Sequence, residues 1–129
     1  MESKKPNLGT LGRILFAIPF GVIGLNHFFM ADFFNGMLTS FIPGGGFTIL
    51  FTGFLLIAAS VSIILKRFVT VSCLLLGLLL FIFIVTIHIP QLFEPDKAAV
   101  ALMQLLKDTA LMGGALMIAH IYKPEKGEN

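Results

Sequence analysis

The chain has 129 residues, of which 57% are hydrophobic and 12% charged, with a formal net charge of +2. An ordinary soluble domain carries about 25% charged residues, and one this small exposes too much of its area to hide so apolar a composition in a single core. The composition therefore argues against a soluble fold, the small net charge gives no reason to expect a nucleic-acid partner, and the expectation is one domain, 1–129, placed in a lipid bilayer.

Four apolar stretches, near 11–30, 47–65, 68–89 and 98–122, each approach the roughly 20 residues that cross about 30 Å of hydrocarbon. Strand-sized runs with strict alternation are absent, so the fold class read from the sequence is an all-α integral membrane protein, a bundle of four transmembrane helices. The first stretch contains Pro19, which is expected to bend it. Its basic start resembles a secretory leader, but no small-x-small cleavage site comes after it and Asn26 and His27 interrupt the apolar run, so it is read as a retained span. Arg13, Ala17, Gly21, Gly24 and His27 share one face of it, and the small residues among them let another helix come close.

Pro43-Gly44-Gly45-Gly46 then forms a turn; it is like a phosphate-binding loop only on the surface, since no Lys-Ser/Thr comes after it. Lys66 and Arg67 make a very tight turn after the second helix, which forces helices two and three to be antiparallel neighbours. The third helix holds Cys73, the single cysteine, so neither an intrachain disulfide nor CxxC chemistry is available and a packing role is expected. Pro90 is expected to end this helix, with Glu94, Pro95 and Asp96 in the next loop. The fourth stretch is the least apolar because it contains Gln104, Lys107 and Asp108.

Orientation is read from the basic residues. With the N-terminus in the cytoplasm, Lys4, Lys5, Arg13, Lys66, Arg67, Lys123 and Lys126 fall on the inner side, and Lys97 alone falls in an outer loop beside Glu94 and Asp96. Both termini are therefore expected in the cytoplasm.

Polar side chains within the hydrocarbon are costly and face protein interior, so they are the candidate functional residues. Gln104, Lys107 and Asp108 stand at i, i+3 and i+4 on one helical face, which is expected to point into the bundle. Counting from an outer boundary near Met30 and Ala98, His27 lies about 5 Å deep, Gln104 about 9 Å, and Lys107 and Asp108 about 13–15 Å. Helical side chains lean toward their own N-terminus, so His27 and His88 lean inward while Lys107 and Asp108 lean outward, and the two sets converge. The candidate site is a polar pocket or a helix-locking network of His27, His88, Gln104, Lys107 and Asp108. Lys107 and Asp108 are adjacent, about 100° apart on the helix, so each is expected to have a further partner. Arg13 is expected to snorkel to the headgroups, Asn26 to hydrogen-bond to a neighbouring helix, and His120 to sit at the inner interface. No metal-ligand spacing, nucleophile with a base, haem or iron–sulfur pattern is present, so no catalytic or metal residue is assigned.

The Arg13-Ile14-Leu15-Phe16 opening, Gly24-Leu25-Asn26-His27-Phe28, Ile42-Pro43-Gly44-Gly45, Thr86-Ile87-His88-Ile89-Pro90 and the block from Leu105-Leu106-Lys107-Asp108-Thr109 to Gly113-Gly114-Ala115 occur in order across most of the chain. Together they resemble the DoxX family of small four-helix bacterial membrane proteins, most closely its Bacteroidetes-type members. The resemblance implies a multi-pass protein of the bacterial inner membrane. Some relatives are associated with redox assemblies, including thiosulfate–quinone oxidoreduction, and others with maturation or oxidative-stress complexes. A thiol role transfers poorly to a chain whose Cys73 is alone. The expectation is a non-enzymatic accessory protein that partners a membrane redox or envelope complex, or itself in a homo-oligomer. The second expectation is a protein that holds a quinone, lipid or small polar solute between its helices; no cofactor is expected, with quinone as the alternative, and a complete enzyme comes third.

Overall fold

The computed structural model describes residues 7–32 and 46–122. Four helices in it are long and apolar enough to cross a membrane: α1 (Leu8–Phe29), α2 (Gly46–Ile64), α3 (Val69–Gln91) and α4 (Ala98–Ile121). The turn at Pro43 to Gly45 and the basic residues Lys4, Lys5, Lys123 and Lys126 lie outside the described residues.

Helix ends obey local chemistry that hydropathy does not register. α1 begins at Leu8 rather than near 11, because Asn7 caps it: Thr10 N donates to Asn7 Oδ1 at 2.7 Å. That bond satisfies one of the donors a helix start leaves without an intrahelical partner. α3 does not end at Pro90. It widens into a π-turn over Ile84–His88, and a last α-turn, Ile89–Gln91, runs through the proline. A proline inside a regular helix removes a donor and pushes its ring into the carbonyl four residues back. Widening the turn just before it, with Ile89 N donating to Ile84 O, lets the helix continue.

The turn between α2 and α3 is as tight as the Lys66-Arg67 pair suggests. Arg67 N donates to Ser62 O at 2.9 Å and Lys66 N to Ile63 O at 3.2 Å, the paired bonds of a Schellman C-cap. Lys66 stands at φ 59° and Phe68 at φ 54°, both in the left-handed region. For an L-residue this conformation costs about 1–2 kcal/mol, and glycine avoids the cost at some loss of entropy. Phe68 is 78% exposed, so its ring contributes little packing. Phe68→Gly is therefore expected to stabilise the bundle by about 0.5–1 kcal/mol, read as a higher midpoint in SDS mixed-micelle unfolding. A lower midpoint would show that the ring matters more than the strain.

The core lies along the bundle axis: Ala17 and Phe20 of α1, Leu56 and Ile63 of α2, Val69, Cys73, Leu76 and Leu80 of α3, and Ala115 and Ala119 of α4. Cys73 is fully buried and packs as a small apolar residue. Between 17% and 28% of the most apolar stretch of each helix is buried inside the bundle, and the exterior shows Phe47, Phe54, Leu75, Met103 and Met117. So much outward apolar surface is what a hydrocarbon environment accommodates and water does not.

Contacts are most extensive between α1 and α2, and next between α3 and α4. α1 and α2 meet through small residues. Gly24 and Gly53 face each other so closely that a Cβ on Gly24 would stand 2.7 Å from the Gly53 carbonyl oxygen, and one on Gly21 would stand 2.8 Å from Ser60 Oγ. Ser60 Oγ donates to Ala17 O at 2.8 Å across the same crossing. With no water to expel, such close approach and interhelical hydrogen bonding are the forces that associate membrane helices.

Candidate functional site

Polar side chains gather at two ends of the bundle. At one end, Arg13 is 6% exposed. It does not snorkel to headgroups as its position near the helix start suggested. Its Nη1 donates to Ile63 O and, at 2.8 Å, to Ile64 O, while Nε donates to Tyr122 Oη at 3.2 Å. The last carbonyls of α2 have no intrahelical donor and carry the negative end of the helix dipole, so a guanidinium fork fits them. Tyr122 is held between two cations, Arg13 Cζ at 5.6 Å and Lys66 Nζ at 5.7 Å from its ring centroid. Arg13 thus ties the start of α1 to the ends of α2 and α4. Sequence reasoning misses this clamp because Tyr122 reads as a mere boundary residue; that an Arg and a Tyr fall at the same end of an antiparallel bundle is the signal that could have found it.

At the other end, the π-turn of α3 places His88 against α4. His88 Nε2 lies 2.7 Å from Asp108 Oδ2, and both residues are 5% exposed. Asp108 Oδ1 lies 3.6 Å from Lys107 Nζ, which itself donates to Gln104 Oε1 at 2.6 Å. Four of the five candidate residues therefore form one chain of contacts: His88, Asp108, Lys107, Gln104. They do not all point inward. The Lys107 side chain is 53% exposed and Gln104 is half-buried, so the expectation that the whole i, i+3, i+4 face lies inside the bundle is corrected. Adjacent residues differ by about 100° around a helix, and α4 turns Asp108 to α3 and Lys107 outward.

His27 is placed at the α1–α2 crossing, with its Cβ where a Gly53 side chain would stand. Its Nδ1 lies 2.8 Å from Ile23 O; a carbonyl only accepts, so Nδ1 is the protonated nitrogen of this ring. His27 thus serves the α1–α2 contact, whereas His88 and Asp108 belong to the α3–α4 contact. Asn26 is half-buried, and among the described residues its side chain makes no hydrogen bond to a neighbouring helix. His120 is exposed on a shallow apolar surface with Leu116, Met117 and Ile121.

Among the described residues, no group of three His, Cys, Asp or Glu side chains could hold a metal ion. A buried imidazole–carboxylate pair with an adjacent ammonium can bind a proton, hold a hydrogen-bonding molecule, or lock two helices in register. No family model, curated protein or solved structure matches this chain.

Proposed function

We propose that this chain is a DoxX-like, multi-pass protein of the bacterial inner membrane, with both termini cytoplasmic, that acts as a non-enzymatic accessory subunit of a membrane redox or envelope complex. The observation that carries this reading is Lys107. It stands about 14 Å along α4 from Ala98, inside an apolar span, yet its side chain is 53% exposed. Ionisable groups at such depth are costly and almost always face protein or a polar cavity. A neighbouring subunit that packs on this side of α4 converts an exposed intramembrane ammonium into an interior one. Ala110, at i+3 from Lys107, lies exposed beside it, so a second helix can come close. On α2, Ala58 is exposed as an interface would require, while Ser62 is half-buried.

The test is extraction from native membranes in a mild detergent, followed by mass spectrometry of everything retained. A partner protein is expected with the wild type, and Lys107→Met is expected to reduce its retention by about tenfold or more, the loss of one desolvated charge contact. Recovery of the chain alone, or retention that Lys107→Met leaves unchanged, overturns the reading.

The second reading is a protein that holds a quinone, lipid or small polar solute between its helices. The buried His88–Asp108 pair favours it, because polar groups that deep are most often placed for a ligand or a proton. Small molecules retained in the same extraction, and lost with Asp108→Asn, distinguish it from the first.

A further inference from the structure

We propose that His88 and Asp108 form a proton-binding site inside the bundle, which takes up one proton at Nδ1 of His88 and releases the π-turn of α3 when it does. The pair stands on geometry. His88 Nε2 is 2.7 Å from Asp108 Oδ2, and His88 Nδ1, buried from solvent, has no hydrogen-bond partner among the described residues. A bare lone pair tolerates apolar surroundings better than an unpaired N–H does. The tautomer is therefore Nε2–H donating to an ionised Asp108, with Nδ1 bare.

In this state the charges balance. Asp108 is negative, Lys107 at 3.6 Å is positive, and the imidazole is neutral. The loop from α3 to α4, just beyond the π-turn, carries Glu94 and Lys97, 3.6 Å apart, and Asp96, all three exposed. α2 carries no titratable side chain, and α1 carries Arg13, engaged on Ile63 and Ile64 at the opposite end, and His27, engaged on Ile23 O. α3 has Cys73 well before the π-turn, and α4 has His120 and Tyr122 at its far end.

Proton uptake adds one N–H and breaks no bond. Nε2–H stays on Asp108, the ring becomes imidazolium, and Asp108 exchanges Lys107 for His88 as its principal counter-ion. The new Nδ1–H then needs an acceptor that the packed conformation lacks. His88 closes the π-turn, whose bond from Ile89 N to Ile84 O is an expanded and less favoured closure. That turn is the irregular backbone beside the ring, and its opening supplies carbonyl oxygen and admits water.

The experiment uses the full chain in lipid nanodiscs, with imidazole nitrogen NMR of His88 and amide exchange at Ile89 monitored as the pH is lowered. At neutral pH the expected species is the Nε2–H tautomer. On acidification a single proton arrives at Nδ1 and Ile89 exchange accelerates with it. The variants move proton affinity in opposite directions. Asp108→Asn, which removes the contacting carboxylate, weakens proton binding by about tenfold or more, whereas Lys107→Met, which removes a more distant and half-exposed like charge, strengthens it by about threefold. The signed shifts test the assignment of charge, and the coupling of Ile89 exchange to His88 titration is the readout that a register-locking role alone does not produce. Should Asp108→Asn fail to fold, Lys107→Met, at an exposed position, still decides the sign. An Nδ1–H tautomer or an imidazolium at neutral pH, an Ile89 amide indifferent to His88 titration, or a Lys107→Met shift toward weaker binding overturns the proposal.

Discussion

Gly24→Ala is expected to destabilise the folded bundle by about 3 kcal/mol, the cost of forcing apart two helices that touch through their backbones. The added Cβ would stand 2.7 Å from Gly53 O, 2.8 Å from Ile57 Cγ1 and 3.0 Å from Ile57 N. Two of these are main-chain atoms of a regular helix, and neither can swing away as the end of a flexible side chain can. The helices must separate instead, which stretches the bond from Ser60 Oγ to Ala17 O and opens the crossing where His27 lies over Gly53. Gly53→Ala meets the reciprocal surface, His27 Cβ at 2.7 Å and Gly24 O at 2.8 Å, and is expected to cost a similar amount. The double variant should cost less than the sum, because the first separation relieves the second clash. Gly113→Ala is the control. Nothing lies within 4 Å of its added Cβ, so helix propensity alone acts and stability rises by up to about 1 kcal/mol. SDS mixed-micelle unfolding reads all four variants. A Gly24→Ala bundle as stable as the wild type would mean that the α1–α2 crossing is looser than these distances imply.

The second large effect is at Arg13. Arg13→Leu is expected to cost about 3–5 kcal/mol, since bonds from a charged donor contribute roughly 1.5–3 kcal/mol each and the acceptors left behind are partly desolvated. Those acceptors are the carbonyls of Ile63 and Ile64 and the hydroxyl of Tyr122. Arg13→Lys keeps the charge but not the fork, so it should recover only about half of the loss. Tyr122→Phe removes one hydrogen bond and leaves the ring under Lys66, with a cost of about 1 kcal/mol. If Arg13 merely reached for headgroups, Arg13→Lys would match the wild type and the Arg13 and Tyr122 effects would add without coupling. Coupling of about 1 kcal/mol in the double-mutant cycle is the expected result.

Why the clamp and the crossing differ in legibility is a matter of range. The face Arg13, Ala17, Gly21, Gly24, His27 is set by helical spacing alone, and small residues at that spacing specify close approach whichever helix arrives. Which helix arrives, and that Arg13 meets the end of α2 and the hydroxyl of Tyr122, depends on contacts between residues distant in the chain. The convergence of His88 on Asp108 is legible in the order and direction of the spans, whereas the widening of Ile84–His88 into a π-turn, which alters the helical phase of the residues beyond it, is not. The pairing of His88 with Asp108 is set by that widened turn together with the rotation of α4.

The number, order and apolar character of the four spans are legible in the sequence, because each is a local sum of side-chain transfer energies compared with the thickness of a bilayer, whereas their ends follow the Asn7 cap and the π-turn before Pro90. The tight Lys66-Arg67 turn was equally local. Tertiary structure alone decided which of two adjacent residues, Lys107 or Asp108, turns inward, since they are about 100° apart and only one can face α3. It also separated His27 from the His88–Asp108 contact by seating it on Gly53. Rotation of a helix about its axis is chosen by packing against its neighbours, and a single helix carries no record of that choice beyond the face it offers.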